Sequence, residues 1–163
     1  MRTVLAVIAA AVLALPAAAA EQPGGGVLVP SRSFDGLRLG ASTEAIEARW
    51  GTRHGRCRDC RRTTWYFNTR PFHRQGVGVE LRAGRAVAFF TLWQPPDWST
   101  SRNLRLGEPV ARVTQVYGSL PRLECGTYYA FTLETARTLT AFYIVDGELW
   151  GFGLMRPDVP ACR

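Results

Sequence analysis

The chain has no lysine. All twenty of its basic residues are arginine, which codon bias in a GC-rich genome accounts for. Its positive charge therefore sits on planar guanidinium forks, which suit carboxylates and phosphates. Histidine is nearly absent: His54 and His73 are the only two, and both fall in one loop. No Gly-x-Ser-x-Gly elbow occurs. The nearest paired carboxylates, Glu44 and Glu47, read as charges at the start of a helix. The sequence thus presents no catalytic constellation, and a non-enzymatic role without a cofactor is expected. Long apolar runs are scarce too. Val4–Leu15 follows Arg2, is broken by Pro16 and leads to Ala18-Ala19-Ala20. A membrane span wants about 20 apolar residues, so residues 1–20 read as a cleaved secretory signal peptide with no transmembrane segment left after cleavage. No cysteine stands at the cleavage point to take a lipid anchor.

What remains is about 140 residues, enough for one domain or two small, closely packed ones. Acidic residues number 13, leaving a formal charge of +7, one unit of it on Arg2. Such a field favours acidic proteins, anionic polymers or anionic membrane surfaces. Four cysteines in an exported chain imply two disulfides. Three pairings are open; Cys57 with Cys60 and Cys125 with Cys162 are favoured. The first pair is close in sequence, and the second ties the tail to the second half.

One stretch occurs twice. Leu37–Gly51 begins Leu-Arg-Leu-Gly and ends Trp-Gly; Leu104–Gly118 begins Leu-Arg-Leu-Gly and ends Tyr-Gly. Ile46 falls on Val113, and Trp50 on Tyr117. Each copy reads as a short helix, Ser42–Trp50 and a second starting at Pro109, closed by a glycine. Alternating runs follow each helix. Thr63–Asn68, Val77–Arg82 and Arg85–Trp93 read as three strands of a meander. Gly126–Leu133, Thr138–Val145 and Glu148–Met155 read as three more, with Asp146-Gly147 a hairpin turn. The expected fold is therefore α+β: two tandem α-β-β-β modules with short helices packed on one face of antiparallel sheet. The modules span 34–93 and 104–155. Residues 21–33 read as a flexible leader, 94–103 as an inter-module link and 156–163 as a tail.

Leu-x-Leu-Gly, a short helix, aromatic-Gly and a meander resemble the SmpA/OmlA-like module of the outer-membrane barrel-assembly lipoprotein. Gly40, Gly51, Gly107 and Gly118 carry the likeness, which covers Phe34–Met155. Two such modules in a secreted, disulfide-bonded chain resemble the β-lactamase-inhibitory protein family. That resemblance implies a sheet surface that grips an acidic loop of another protein. It differs in detail: the family's modules usually carry two helices and four strands.

The densest local feature is the arginine run Arg53, Arg56, Arg58, Arg61 and Arg62, continued by Arg70 and Arg74. With Trp65, Tyr66, Trp98, Tyr128 and Trp150 it makes the expected partner surface. Arginines steer an acidic protein, and desolvated aromatics hold it. His54, Cys57, Cys60 and His73 have the ligand types of a zinc site, but export favours the disulfide, so no metal is expected. Nucleic acid is disfavoured by secretion. The chain reads as a monomeric, secreted or envelope-located, non-catalytic protein-binding module, with inhibition of an acidic partner protein as one form of that role. A cell-envelope structural or assembly factor is the alternative, with an enzyme or zinc protein behind it.

Overall fold

The computed structural model describes residues 23–57, 59–68 and 75–163. The signal-peptide reading, Arg58, Arg70, His73 and Arg74 lie outside the described residues. Within them, each repeated stretch folds into one helix, α1 (Thr43–Trp50) and α2 (Val110–Tyr117). Ser42 caps α1 by accepting from the Ala45 amide, and Gly51 and Gly118 close the helices at φ 83° and 78°. That left-handed conformation suits glycine.

The two stretches also share their ties to the sheet. Gly40 and Gly107 sit at φ 88° and 87°. Their amides donate to the carbonyls of Ala86 and Leu149, at 2.7 and 2.8 Å. The amides of Ala86 and Leu149 in turn donate to Ala41 and Glu108.

Strands after α1 are β3 (Gly55–Arg56), β4 (Thr63–Asn68), β5 (Gly76–Arg82) and β6 (Arg85–Leu92). Strands after α2 are β8 (Arg122–Glu124), β9 (Tyr129–Glu134), β10 (Leu139–Val145) and β11 (Glu148–Met155). They form one eight-stranded sheet in the order β3-β4-β5-β6-β11-β10-β9-β8. Every pairing in it is antiparallel. The two meanders therefore meet through their last strands, where Phe90, Phe89 and Ala88 pair with Gly153, Leu154 and Met155.

The α+β expectation is corrected here. The protein is mostly β, with eleven strands and only two helices among the described residues. Four strands, not three, follow each helix. A second, three-stranded sheet joins β1 (Gly26–Val29), β2 (Ser33–Phe34) and β7 (Trp98–Thr100) in the order β2-β1-β7. These strands arise from the stretches that read as leader and link. The helices do not form a layer over the sheet. Each has eight residues, and together they fully bury only Ile46, Trp50 and Val113. The three-stranded sheet completes that face by sending Leu28, Phe34 and Trp98 into the same core.

Aromatic rings fill this core. Phe34 lies 4.7 Å from Trp98 and 5.9 Å from Phe89, and Trp50 meets Phe67 and Phe89 edge-on. Asp35 is buried beside them and accepts from Trp50 Nε1 at 2.8 Å and from the Arg49 guanidinium at 2.6 Å.

The opposite face is built differently. Along one row, Tyr66, Gly78, Phe90, Gly153, Ala141 and Thr132 are neighbours across six strands. The glycines make room for rings. A Cβ on Gly78 would stand 2.5 Å from the Phe90 ring, and one on Gly153 would stand 2.6 Å from the Tyr143 hydroxyl. Residues after β11 cross this face. Val159 and Ala161 are buried there with Tyr143, Met155 and Val87, and Tyr143 Oη donates to the Ala161 carbonyl at 2.7 Å.

Candidate functional site

Alternation along β4, β5 and β6 sends Thr64, Tyr66, Glu80 and Phe90 to the face crossed by the tail. They line a cavity of about 360 Å3 completed by Leu92, Cys60, Arg61, Arg62, Cys162 and Arg163. Two disulfides frame it. Cys57–Cys60 holds the β3–β4 turn, and Cys125–Cys162 holds the tail against the second meander. Both favoured pairings form, and the described residues hold no free cysteine. The thiols of the zinc alternative are thereby consumed.

The cavity is apolar at Phe90 and Leu92 and charged at its walls. Glu80 pairs with Arg62 at 3.4 Å and, through its other oxygen, with Arg163. The Arg163 guanidinium also lies 4.9 Å above the Phe90 ring, a cation–π contact. Glu80 is thus neutralised from two sides. Burial raises the Tyr66 hydroxyl above the ordinary tyrosine pKa, and the nearby Glu80 charge adds to that. Tyr66 therefore serves as a neutral hydrogen-bonding group. Arg61 lines the same cavity without an acidic partner among the described residues.

The expected contact residues divide. Arg61, Arg62 and Tyr66 come together in the cavity. Arg53 and Arg56 are exposed outside its lining; Arg56 lies 5.6 Å from the Trp65 ring centre. Trp65 and Trp98 are corrected: both are core residues, 5% and 1% exposed. Trp65 stacks on His54 at 3.9 Å. Trp98 is drawn inward because β7 pairs in parallel with β1, where a Cβ on Gly26 would strike its ring at 2.8 Å. Tyr128 is half-buried; it rests edge-on against Tyr143 and donates to the Arg163 carbonyl at 2.7 Å. Trp150 is half-buried against Trp93, with ring centres 5.7 Å apart.

Sequence reasoning missed Glu80, Phe90, Leu92 and Arg163 in the cavity, and Trp93, which is 49% exposed. Gly78 carried a usable signal. A glycine inside an alternating strand marks close approach by a neighbour, here the Phe90 ring.

No family model and no curated protein matches the chain. Among solved structures, it is similar to an extracellular protein containing an SCP domain from Bacillus anthracis str. Ames, with a TM-score of 0.53 and 15% identity over 73% of this chain. The chain spans 44% of that protein's length. It is also similar to a DUF4309 family protein, YjgB, from Bacillus subtilis subsp. subtilis str. 168. There the TM-score is 0.54 and the identity 17%, over 76% of this chain and 84% of the other. At these identities the likeness is one of fold.

Proposed function

We propose that the chain is an exported, non-catalytic protein-binding module that takes an acidic segment of a partner protein into the cavity between β4–β6 and the tail. One observation carries this reading: an apolar floor, Phe90 and Leu92, lies beside Arg61, a guanidinium with no acidic partner among the described residues. An apolar side chain from the partner would fill the floor, and a neighbouring carboxylate would meet Arg61. Arginine and aromatic residues at a desolvated centre are the usual anchors of protein recognition.

The titratable groups at hand favour binding over catalysis. Glu80 is held between two arginines, and His54 is packed on Trp65 with Nε2 3.2 Å from Glu47 Oε1. The two disulfides fit an oxidising compartment. Among the described residues no helix is long and apolar enough to cross a membrane. Release into the medium, rather than retention in the envelope, is part of the proposal.

The test is capture of partners on immobilised exported protein from culture supernatant and, separately, from envelope fractions. An acidic protein should be retained from supernatant, be released as salt rises, and be lost on Arg61→Glu but not on Arg105→Glu. Equal retention by wild type and Arg61→Glu would sink the site. Retention from envelope alone would replace the secreted role with an envelope one.

A further inference from the structure

A second charged cleft shares no residue with the cavity. It has a volume of about 810 Å3 and is lined by four arginines, Arg32, Arg38, Arg137 and Arg156, with a single acid, Asp158. The arginines come from four places in the chain: the β1–β2 turn, the loop before α1, the β9–β10 turn and the segment after β11.

The one carboxylate is already committed. Asp158 lies 2.6 Å from Arg82 and 3.4 Å from Arg156. Arg32, Arg38 and Arg137 have no acidic partner among the described residues. Three like charges around one opening repel one another, and an anion placed between them relieves that repulsion.

The backbone under these side chains is tied down. The Arg32 amide donates to the Val29 carbonyl at 3.0 Å, and the Ser31 amide donates to Thr140 Oγ1 at 2.9 Å, which locks the β1–β2 turn to β10. Thr135 Oγ1 accepts from the amides of Arg137 and Thr138 and lies 2.8 Å from Thr138 Oγ1, which fixes the β9–β10 turn. Gly40 opens the cleft between Leu39 and the arginines: no atom lies within 4 Å of where its Cβ would be. Guanidinium forks carried on fixed turns are suited to oxyanions, which they bind through paired hydrogen bonds.

We infer that this cleft binds a polyanionic chain, with successive phosphate or carboxylate groups bridging Arg32, Arg38 and Arg137. Its volume greatly exceeds the roughly 30 Å3 share of one water, so a single small oxyanion would leave most of it empty. Several linked anionic groups match both its size and its spread of charge. Phosphate and carboxylate chains share this chemistry, and two probes separate them.

The experiment is calorimetric titration of the exported full-length protein with inorganic tripolyphosphate and with an oligogalacturonate, each at several salt concentrations. One probe or both should bind one-to-one and weaken steeply with salt. Arg32→Ala/Arg38→Ala/Arg137→Ala should weaken binding at least tenfold and flatten the salt dependence. All three positions are exposed, and an unchanged thermal midpoint will verify that the variant folds. Arg105→Ala/Arg112→Ala/Arg122→Ala makes the same change in charge elsewhere and should bind like wild type. Preference for tripolyphosphate identifies a phosphate chain, and preference for oligogalacturonate a carboxylate one. Binding of neither probe, or equal weakening by both triple variants, overturns the inference.

Discussion

Removing the Cys125–Cys162 bridge should cost the fold about twice as much as removing Cys57–Cys60. The cysteines of the two bridges are 37 and 3 residues apart in sequence. A cross-link stabilises chiefly by restricting the unfolded chain, and the effect grows with the logarithm of the loop it closes. That scaling gives about 4 kcal/mol for the longer loop and about 2 kcal/mol for the shorter. The folded tail keeps other holds once its bridge is gone. Tyr143 Oη still donates to the Ala161 carbonyl and Tyr128 Oη to the Arg163 carbonyl, while Val159 and Ala161 remain buried. Urea titration of Cys125→Ser/Cys162→Ser and Cys57→Ser/Cys60→Ser under identical conditions measures the two losses. The m-value should rise more for the first pair, because its unfolded chain expands more. Equal losses, or a greater loss for Cys57→Ser/Cys60→Ser, would show that native contacts around the turn outweigh chain entropy.

Alkali should expose a second dependence. Burial pushes the Tyr143 hydroxyl up to about 12, while an unfolded tyrosine ionises near 10. The folded state therefore holds its proton longer. This contribution is complete below pH 10 and is lost as pH rises from 10 to 12, by about 3 kcal/mol in all. Tyr143→Phe should flatten that part of the stability–pH curve when unfolding is followed from pH 9 to 12; an unchanged slope would refute the assignment. Asp35→Ala should cost about 1–3 kcal/mol by leaving the buried Trp50 Nε1 donor without its acceptor. Thermal unfolding checks this, and a midpoint within error of wild type would show that the bond contributes nothing net.

The repeated stretches were legible because their geometry depends on local chemistry. A Ser42 cap, glycines at the positive-φ positions 40, 51, 107 and 118, and one or two apolar residues per helix suffice. The six longer strands were legible from alternation, and Asp146-Gly147 from its turn requirement. The fold class was not. Its decisive additions, β1, β2 and β7, have four, two and three residues, too few to express a period. Their strand character comes from pairing, locally between Leu28 and Phe34 and at long range between Leu28 and Thr100.

The site was half legible for the same reason. An arginine run announces itself in sequence, so Arg61 and Arg62 were found. Whether an aromatic ring faces solvent or core depends on what lies across from it. Trp98 was therefore misjudged, and Glu80 and Phe90, which read as ordinary members of alternating strands, were not assigned to the partner surface.

The outermost strands limit how this protein can engage a partner. β3 has two residues and β8 three, and they occupy the two edges of the eight-stranded sheet. Edges this short offer little unpaired backbone for an incoming strand to zip onto. Recognition by β-augmentation, in which main-chain hydrogen bonds supply the affinity, is therefore disfavoured at both ends. Selectivity has to come from side chains presented across the sheet's faces and turns. The same brevity deprives neighbouring copies of a template for end-to-end stacking into fibres.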